Sequence, residues 1–169
     1  MKSKNIIIIG YRGAGKTTVS RALSQRLNWN YIGIDDLIKT KIGSIFESVE
    51  KHGWQEFQSA EREVIAGLYV NESVIDTGGG VVLTWGNIEY LKALGPLCFL
   101  NANCSTLVER LKQSHARPSI KNNKSTFAEV EEVLHERLAL YRKAADMEID
   151  VDDKDVNDIV SIIIGKVKQ

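Results

Sequence analysis

Residues 5–17 read NIIIIGYRGAGKT, and this stretch decides the fold. Four consecutive isoleucines predict a buried strand, and the glycine-rich run after them matches the pattern G-x-x-x-x-G-K-[ST] between Gly10 and Thr17. In such a loop the backbone N–H groups surround phosphate oxygens, and a helix that starts near Lys16 directs its positive end towards them. The stretch therefore predicts a strand, a phosphate-binding loop and a helix, with a nucleoside triphosphate as the ligand.

Several loop residues have an expected role. Lys16 is expected to neutralise charge on the β- and γ-phosphates, and the Thr17 hydroxyl group is expected to bind Mg²⁺. The full set of expected phosphate-loop contacts is Gly13, Ala14, Gly15, Lys16, Thr17 and Thr18.

Composition limits the class of protein. The chain has 169 residues, of which 43% are hydrophobic, and its 22 basic residues balance its 22 acidic ones, so no global field attracts nucleic acid or an anionic membrane. Apolar runs are too short for a membrane span, and the first strand follows Met1–Lys4 directly, which predicts a cytoplasmic protein. Cys98 and Cys104 are interpreted as buried thiols rather than as a disulfide framework or a zinc site.

Strands and helices alternate along the chain, which predicts an α/β fold with helices on both faces of a parallel sheet. The predicted strands are 5–10, 31–34, 73–77, 96–101 and 147–151. The predicted helices are 16–28, 36–50, 54–70, 85–94, 104–112, 125–144 and 155–167. One domain over 1–169 is expected. The polar, aperiodic segment 113–125 contains Pro118 and is interpreted as a mobile lid, with a plain surface loop as the alternative.

Further motifs follow the loop in a specific order. They are Asp35, Glu56-Phe57 with Glu61, Gly78-Gly79-Gly80, Arg117-Pro118, and Arg137 with Leu140-Tyr141-Arg142. In this order and spacing the sequence resembles the shikimate kinase family over almost the whole chain. The resemblance implies a P-loop three-layer sandwich with a five-stranded parallel sheet of order 2-3-1-4-5. It also implies a cytoplasmic monomer that uses MgATP to phosphorylate the 3-hydroxyl group of shikimate, a step towards chorismate and the aromatic amino acids.

The resemblance also implies roles for individual residues. Asp35, in a substrate-binding segment of about 35–62, would position the substrate hydroxyl groups and help to deprotonate the attacking one. The Gly79 N–H group and Arg137 would hold the substrate carboxylate, within a substrate set of Asp35, Gln58, Gly78, Gly79, Gly80 and Arg137. Arg117 would reach the phosphates of ATP from the lid, and Arg110 would lie on the nucleotide side.

The residues alone also allow structural roles. Asp35 can cap a helix, the three glycines can form a simple turn, and Arg137 can pair with Glu136 on a helix surface. Residues 151–156 occupy the place of the adenine-contacting loop but suit a solvated turn equally well.

Two positions depart from the family pattern. Where the family has Asp-x-Asp at the end of the second strand, this chain has Gly33-Ile34-Asp35, so the carboxylate on the magnesium side is missing. A family arginine for the substrate carboxylate is replaced by Gln58. These changes leave open a kinase of another hydroxy acid or polyol, such as a gluconate-like acceptor, and a catalytically impaired module that binds ATP or shikimate.

Asp76 offers a replacement for the missing carboxylate. It follows the apolar strand residues Val74 and Ile75, as an acid that holds Mg²⁺ does in other phosphate-loop enzymes. Thr17 and Asp76 are therefore the predicted metal ligands. The alternative is that Asp76 only caps the glycine turn through the backbone.

Overall fold

The computed structural model describes residues 4–113 and 126–168. Apart from Gln113, the predicted lid, and with it the predicted catalytic residue Arg117, lies outside the described residues.

Within the described ranges, five parallel strands form one sheet of order β2-β3-β1-β4-β5, as predicted. The strands are β1 Asn5–Ile9, β2 Asn30–Gly33, β3 Ser73–Asp76, β4 Leu97–Asn101 and β5 Met147–Asp150. Ile6–Ile9 of the central strand are buried on both faces, because helices cover the sheet from each side. Parallel strands place their carboxyl ends at one edge, so the phosphate loop after β1 lies beside the ends of β2 and β3.

In the described residues, helices separate the strands along the chain, and one more helix follows the last strand. They are α1 Lys16–Leu27, α2 Ile34–Ile42, α3 Ile45–His52, α4 Trp54–Ala66, α5 Trp85–Leu94, α6 Cys104–Lys112, α7 Thr126–Ala144 and α8 Val156–Val167, with a short 3₁₀ turn at Val81–Leu83. In the part of the chain that the structure describes, no helix is both long and apolar enough to cross a membrane.

The prediction of one helix over 36–50 is wrong, because two helices, α2 and α3, occupy this segment. Gly43 follows α2 with φ 78°, a backbone conformation that ends a helix and that glycine adopts without strain. Ser44 then caps α3 by accepting a hydrogen bond from the Glu47 N–H group. The break turns α3 and α4 over the carboxyl edge of the sheet, where Ile45 and Trp54 form part of a cavity wall.

The predicted helix 54–70 is also too long, since α4 ends at Ala66. Residues 67–72 form the connection to β3, and the side chain of Asn5 donates to the Val70 carbonyl group within it at 3.1 Å. The connection to the sheet is therefore held by a side-chain hydrogen bond and is not a continuation of the helix.

Candidate active site

The phosphate loop joins β1 to α1. Helix α1 begins at Lys16, so its first N–H groups face the loop, as a phosphate-binding helix requires. The Lys16 ammonium group is largely buried and donates to the Tyr11 carbonyl oxygen at 3.1 Å. Its charge lies close enough to Asp76 to oppose the rise in the pKa of that carboxyl group. The loop therefore places a cation beside the one acid that ends β3.

Asp76 lies at the centre of a polar cluster at the ends of β2 and β3. Its Oδ2 atom accepts hydrogen bonds from Thr17 Oγ1 at 2.6 Å and from Tyr31 Oη at 3.1 Å. Burial raises the pKa of Asp76, while the Lys16 charge and these two hydrogen bonds lower it. Both partners are side chains, from α1 and β2, and not the backbone of the glycine turn. The structure thus brings the two predicted metal ligands together and favours this arrangement over a simple turn cap.

Arg110 lies against the phosphate loop, where its nucleotide-side role was predicted. The Arg110 guanidinium group of α6 donates to the Gly13 carbonyl oxygen at 3.3 Å. The predicted adenine-side segment 151–156 has structural hydrogen bonds instead: Asp155 caps α8, and Asp152 Oδ2 accepts from the Asn103 N–H group at 2.9 Å. These contacts favour the turn interpretation for those two aspartates.

A cavity of about 280 Å³ adjoins the phosphate loop and contains every predicted substrate-binding residue. Its walls are Arg12, Asp35, Ile45, Trp54, Phe57, Gln58, Glu61, Gly78, Gly79, Gly80, Leu83 and Arg137. Asp35 lies in the first turn of α2, whose N-cap residue is Gly33, so the structure does not show the alternative role of Asp35 as a helix N-cap.

The glycine turn after β3 lies close to the Asp35 side chain and to the backbone of the phosphate loop. A Cβ atom at Gly78 would lie 3.0 Å from Asp35 Oδ1, and one at Gly79 would lie 3.1 Å from the backbone nitrogen of Arg12. The Gly79 carbonyl oxygen accepts from Arg137 at 3.3 Å and from the hydroxyl group of Tyr141. Gly78 and Gly79 are therefore needed for close approach rather than for a turn alone, whereas a Cβ atom at Gly80 would make only ordinary contacts, the nearest at 3.9 Å. The Gly79 carbonyl oxygen holds Arg137 towards the cavity instead of leaving it on the helix surface.

Sequence reasoning missed Arg12 as a site residue. It occupies a variable position of the loop pattern, where any residue is allowed, so only its cationic side chain gave a signal. The Arg12 guanidinium group pairs with Glu129 of α7 at 2.9 Å, and the two side chains are only 12% and 4% exposed. This places a second guanidinium group, besides that of Arg137, on the cavity wall.

Glu61 is a further acid of the cavity that was noted only as part of a motif. Its side chain is 1% exposed and accepts a long hydrogen bond of 3.4 Å from the Asn87 amide group. Burial, followed by the negative charge of Asp35, raises the pKa of Glu61 to about 7, while the charge of Arg137 opposes the rise. The cavity thus holds, beside Asp35, a buried acid with a raised pKa.

Both departures from the family pattern lie in this site. Gly33 ends β2 and pairs in register with Asp76 of β3, so the lost and the gained carboxylate positions are neighbours across two strands. Gln58 lies on the cavity wall with Arg12 and Arg137.

Comparisons with known proteins agree with this geometry. The sequence model of the family described as shikimate kinase matches residues 12–168. A shikimate kinase 2 of Enterobacter sp. (strain 638) is 39% identical over 149 residues, which cover 86% of this chain and 85% of that protein. A shikimate kinase of Sulfurihydrogenibium sp. (strain YO3AOP1) is 32% identical over 168 residues and covers 98% of this chain and 99% of its own length.

A solved structure gives the same result in three dimensions. The shikimate kinase from Acinetobacter baumannii in complex with shikimate superposes with a TM-score of 0.92 at 28% identity, over 98% of this chain and 93% of that one. The fold class and the family predicted from sequence are therefore confirmed. With the phosphate loop, the acceptor cavity and these matches in agreement, the chain belongs to the shikimate kinase family, a family of ATP-dependent phosphotransferases.

Proposed function

We propose that the protein transfers the γ-phosphate of ATP to the 3-hydroxyl group of shikimate. The observation that carries the proposal is the shared wall between the two sites: Arg12, a residue of the phosphate loop, lines the same cavity as Asp35 and Arg137. A small hydroxy acid in that cavity would lie beside the phosphates held by the loop. Phosphoryl transfer depends mainly on such positioning and on charge stabilisation.

The acceptor would be oriented at two ends. Asp35 would accept a hydrogen bond from the attacking hydroxyl group and could take up its proton. At the other end, Arg137 and the Gly79 N–H group would bind the carboxylate, with Gln58 adding a neutral hydrogen bond. Arg12, although paired with Glu129, adds a guanidinium group to the same wall, and its N–H donors support an anionic acceptor despite the loss of the arginine at position 58.

On the nucleotide side, the loop residues 13–18 would surround the phosphates. Lys16 would balance the charge that develops during transfer, and Arg110 would support the loop from α6. Two further proposals concern residues that, apart from Gln113, lie outside the described part of the chain. Arg117 would contact the phosphates of ATP, and segment 113–125 would act as a lid.

The residues present fit a magnesium ion. Asp76 Oδ1 is buried and has no hydrogen-bond partner among the described residues, although Oδ2 of the same group has two. Oxygen ligands from a carboxylate and a hydroxyl group, beside a phosphate site, suit Mg²⁺. Thr17 and Asp76 would hold the ion directly or through water, and the ion would neutralise charge on the β- and γ-phosphates.

Two alternative functions remain as outcomes of the test. Gln58 favours a kinase of the same fold that acts on another hydroxy acid or polyol, such as a gluconate-like compound. Gly33 and Gln58 together favour an impaired module that binds ATP or shikimate without turnover. The Asp76 cluster argues against the impaired module, because it supplies a carboxylate beside Gly33. Arg12 argues against a neutral acceptor, because it adds a guanidinium group to the cavity that Gln58 lines.

The deciding experiment is a coupled assay of ADP release with MgATP and, in turn, shikimate, quinate, gluconate and nucleoside monophosphates. We expect turnover that depends strongly on shikimate. Turnover with gluconate alone would support the first alternative, and binding of ATP or shikimate without turnover the second. The monomeric state, the cytoplasmic location and the single domain over 1–169 are further proposals from the sequence.

A further inference from the structure

Tyr31 connects the position of the lost carboxylate with that of the gained one. It lies in β2 two residues before Gly33, so the side chains at positions 31 and 33 point to the same face of the sheet. On the adjacent strand, Asp76 is paired in register with Gly33. Residues 31, 33 and 76 therefore form one group across the ends of two strands.

The Tyr31 hydroxyl group occupies the space next to Gly33. A Cβ atom built on Gly33 would lie 2.9 Å from Tyr31 Oη and 2.7 Å from Asp36 Oδ2. A side chain at position 33 would have to displace both groups. The glycine thus leaves room for two side-chain oxygens, one from Asp36 and one from the Tyr31 hydroxyl group, where the family carries a carboxylate.

The same hydroxyl group orients Asp76. It donates to Asp76 Oδ2 at 3.1 Å, the oxygen that also accepts from Thr17 at 2.6 Å. Two donors on Oδ2 fix the rotation of the carboxyl plane. They leave Oδ1 as the oxygen without a hydrogen-bond partner among the described residues.

The tyrosine ring is itself held in place. The Arg21 guanidinium group of α1 lies over the ring, 4.7 Å from its centroid, as a cation–π contact. Tyr31, Gly33 and Asp76 also line a cavity of about 190 Å³ together with Lys16 and Thr17. The hydroxyl group that orients the acid is therefore anchored at the edge of the predicted metal and phosphate site.

We propose that Tyr31 is a positioning residue for the metal-side carboxylate, and that Tyr31, Gly33 and Asp76 together replace the aspartate that the family carries at position 33. The inference rests on the proposed role of Asp76 in magnesium binding. It adds that this role needs the Tyr31 hydroxyl group, and that a side chain at position 33 would compete with that hydroxyl group for the same space.

The first test measures metal binding rather than turnover. Mn²⁺ is titrated into the protein with a non-hydrolysable ATP analogue, and bound Mn²⁺ is followed by electron paramagnetic resonance for wild type, Tyr31→Phe and Tyr90→Phe. We expect Tyr31→Phe to weaken Mn²⁺ binding about three- to tenfold, the effect that the loss of one ordinary hydrogen bond would have. Tyr90→Phe is the matched control, because its hydroxyl group donates to the Leu68 carbonyl oxygen at 3.1 Å, away from the site.

The second test uses the coupling between positions 31 and 33. Gly33→Asp in the wild-type background should not strengthen Mn²⁺ binding, because the new side chain meets Tyr31 Oη and Asp36. In the Tyr31→Phe background the same change should recover at least part of the lost affinity. A gain from Gly33→Asp that occurs only in the Tyr31→Phe background is expected only if the side chains at positions 31 and 33 compete for one space.

The outcomes separate this inference from the proposal on which it rests. A wild-type protein that binds no Mn²⁺ with nucleotide would contradict the magnesium role of Asp76. Normal wild-type binding with equal affinities in Tyr31→Phe and Tyr90→Phe would overturn the role of Tyr31 alone. Tighter binding on Gly33→Asp, equal in both backgrounds, would also overturn it.

Discussion

Arg12 of the phosphate loop and Glu129 of α7 form a buried ion pair with an N–O distance of 2.9 Å. Helix α7 also carries Arg137, which reaches the Gly79 carbonyl oxygen of the glycine turn. The pair therefore ties the nucleotide side of the site to the helix that lines the acceptor side. A displacement on the nucleotide side of the site should therefore also displace the acceptor side.

We expect Glu129→Gln to lower the free energy of unfolding by on the order of 3 kcal/mol, because it leaves the Arg12 charge buried without its carboxylate. Urea unfolding of the protein without ligands measures the effect. Glu63→Gln is the control, since Glu63 pairs with Lys41 at 2.6 Å but both side chains are about half exposed, and its unfolding midpoint should hardly move. Equal losses in the two variants would show that the buried pair contributes no more than a surface pair.

This ion pair illustrates what the sequence could predict and what it could not. The loop pattern and the alternation of apolar segments are local signals, and they were sufficient for the strands and for Asp76 at the end of one of them. The sheet order and the site positions of Asp35 and Arg137 were implied only by the resemblance to the shikimate kinase family. The break between α2 and α3 at Gly43-Ser44 was missed, because apolar residues continue at helical spacing across it although the helical backbone conformation is interrupted. Arg12 was missed because its role depends on Glu129, a residue far away in sequence.

Tyr31 was missed for a related reason. In sequence it reads as an ordinary aromatic strand residue, and nothing local links it to Asp76. The link arises from the register of β2 against β3, which aligns Gly33 with Asp76 and brings the Tyr31 hydroxyl group within reach. Cross-strand register of a parallel sheet is set by packing of the whole sheet, so one sequence does not reveal it.

The raised pKa of Glu61 gives the stability a defined pH dependence. In the unfolded chain Glu61 titrates near its ordinary pKa of 4.5, whereas in the folded protein burial raises its pKa to about 7. Between these values the folded state binds more protons, so this group makes the free energy of unfolding fall as the pH rises from about 4.5 to 7. The loss should amount to a few kcal/mol, on the order of the shift converted to free energy.

Glu61→Gln removes this dependence, because the amide does not titrate. The free energy of unfolding of the variant, minus that of the wild type at the same pH, should therefore increase as the pH is raised from 5 to 8. Urea unfolding at several pH values in this range measures the difference. Glu131→Gln on the exposed face of α7 is the control, and the same trend in both variants would rule out Glu61 as the source.

Asp76→Asn tests the carboxylate proposed for magnesium. The amide can keep a hydrogen bond with Thr17 but carries no charge, so the Mg²⁺ concentration for half-maximal rate should rise about tenfold or more. The measurement is a Mg²⁺ titration of ADP release at saturating nucleotide and acceptor. Asp146→Asn is the matched control, since Asp146 accepts a hydrogen bond from the Leu97 N–H group at the amino end of β4, at the edge of the sheet opposite to the phosphate loop. An unchanged Mg²⁺ titration in Asp76→Asn would reduce Asp76 to a structural residue.

The acceptor pocket is tested by changing its cation and its neutral residue separately. Arg137→Ala should raise KM for shikimate roughly ten- to a hundredfold, because it removes a charge-assisted contact with the carboxylate, and Gln58→Ala should have a much smaller effect. Arg142→Ala is the control on the same helix, since Arg142 pairs with Glu148 on the surface. Initial rates at saturating MgATP give all three values of KM.

Gln58→Arg restores the family residue, and the direction of its effect decides the acceptor. If the ligand is shikimate, the new guanidinium group should lower KM by up to about tenfold, which corresponds to about 1.4 kcal/mol. The arginine enters a wall that already holds Arg12 and Arg137, so mutual repulsion will limit the gain unless the ligand is an anion. A higher KM in Gln58→Arg, together with an unchanged KM in Arg137→Ala, would mean that the cavity is matched to a neutral polyol. The substrate assignment would then move to that class.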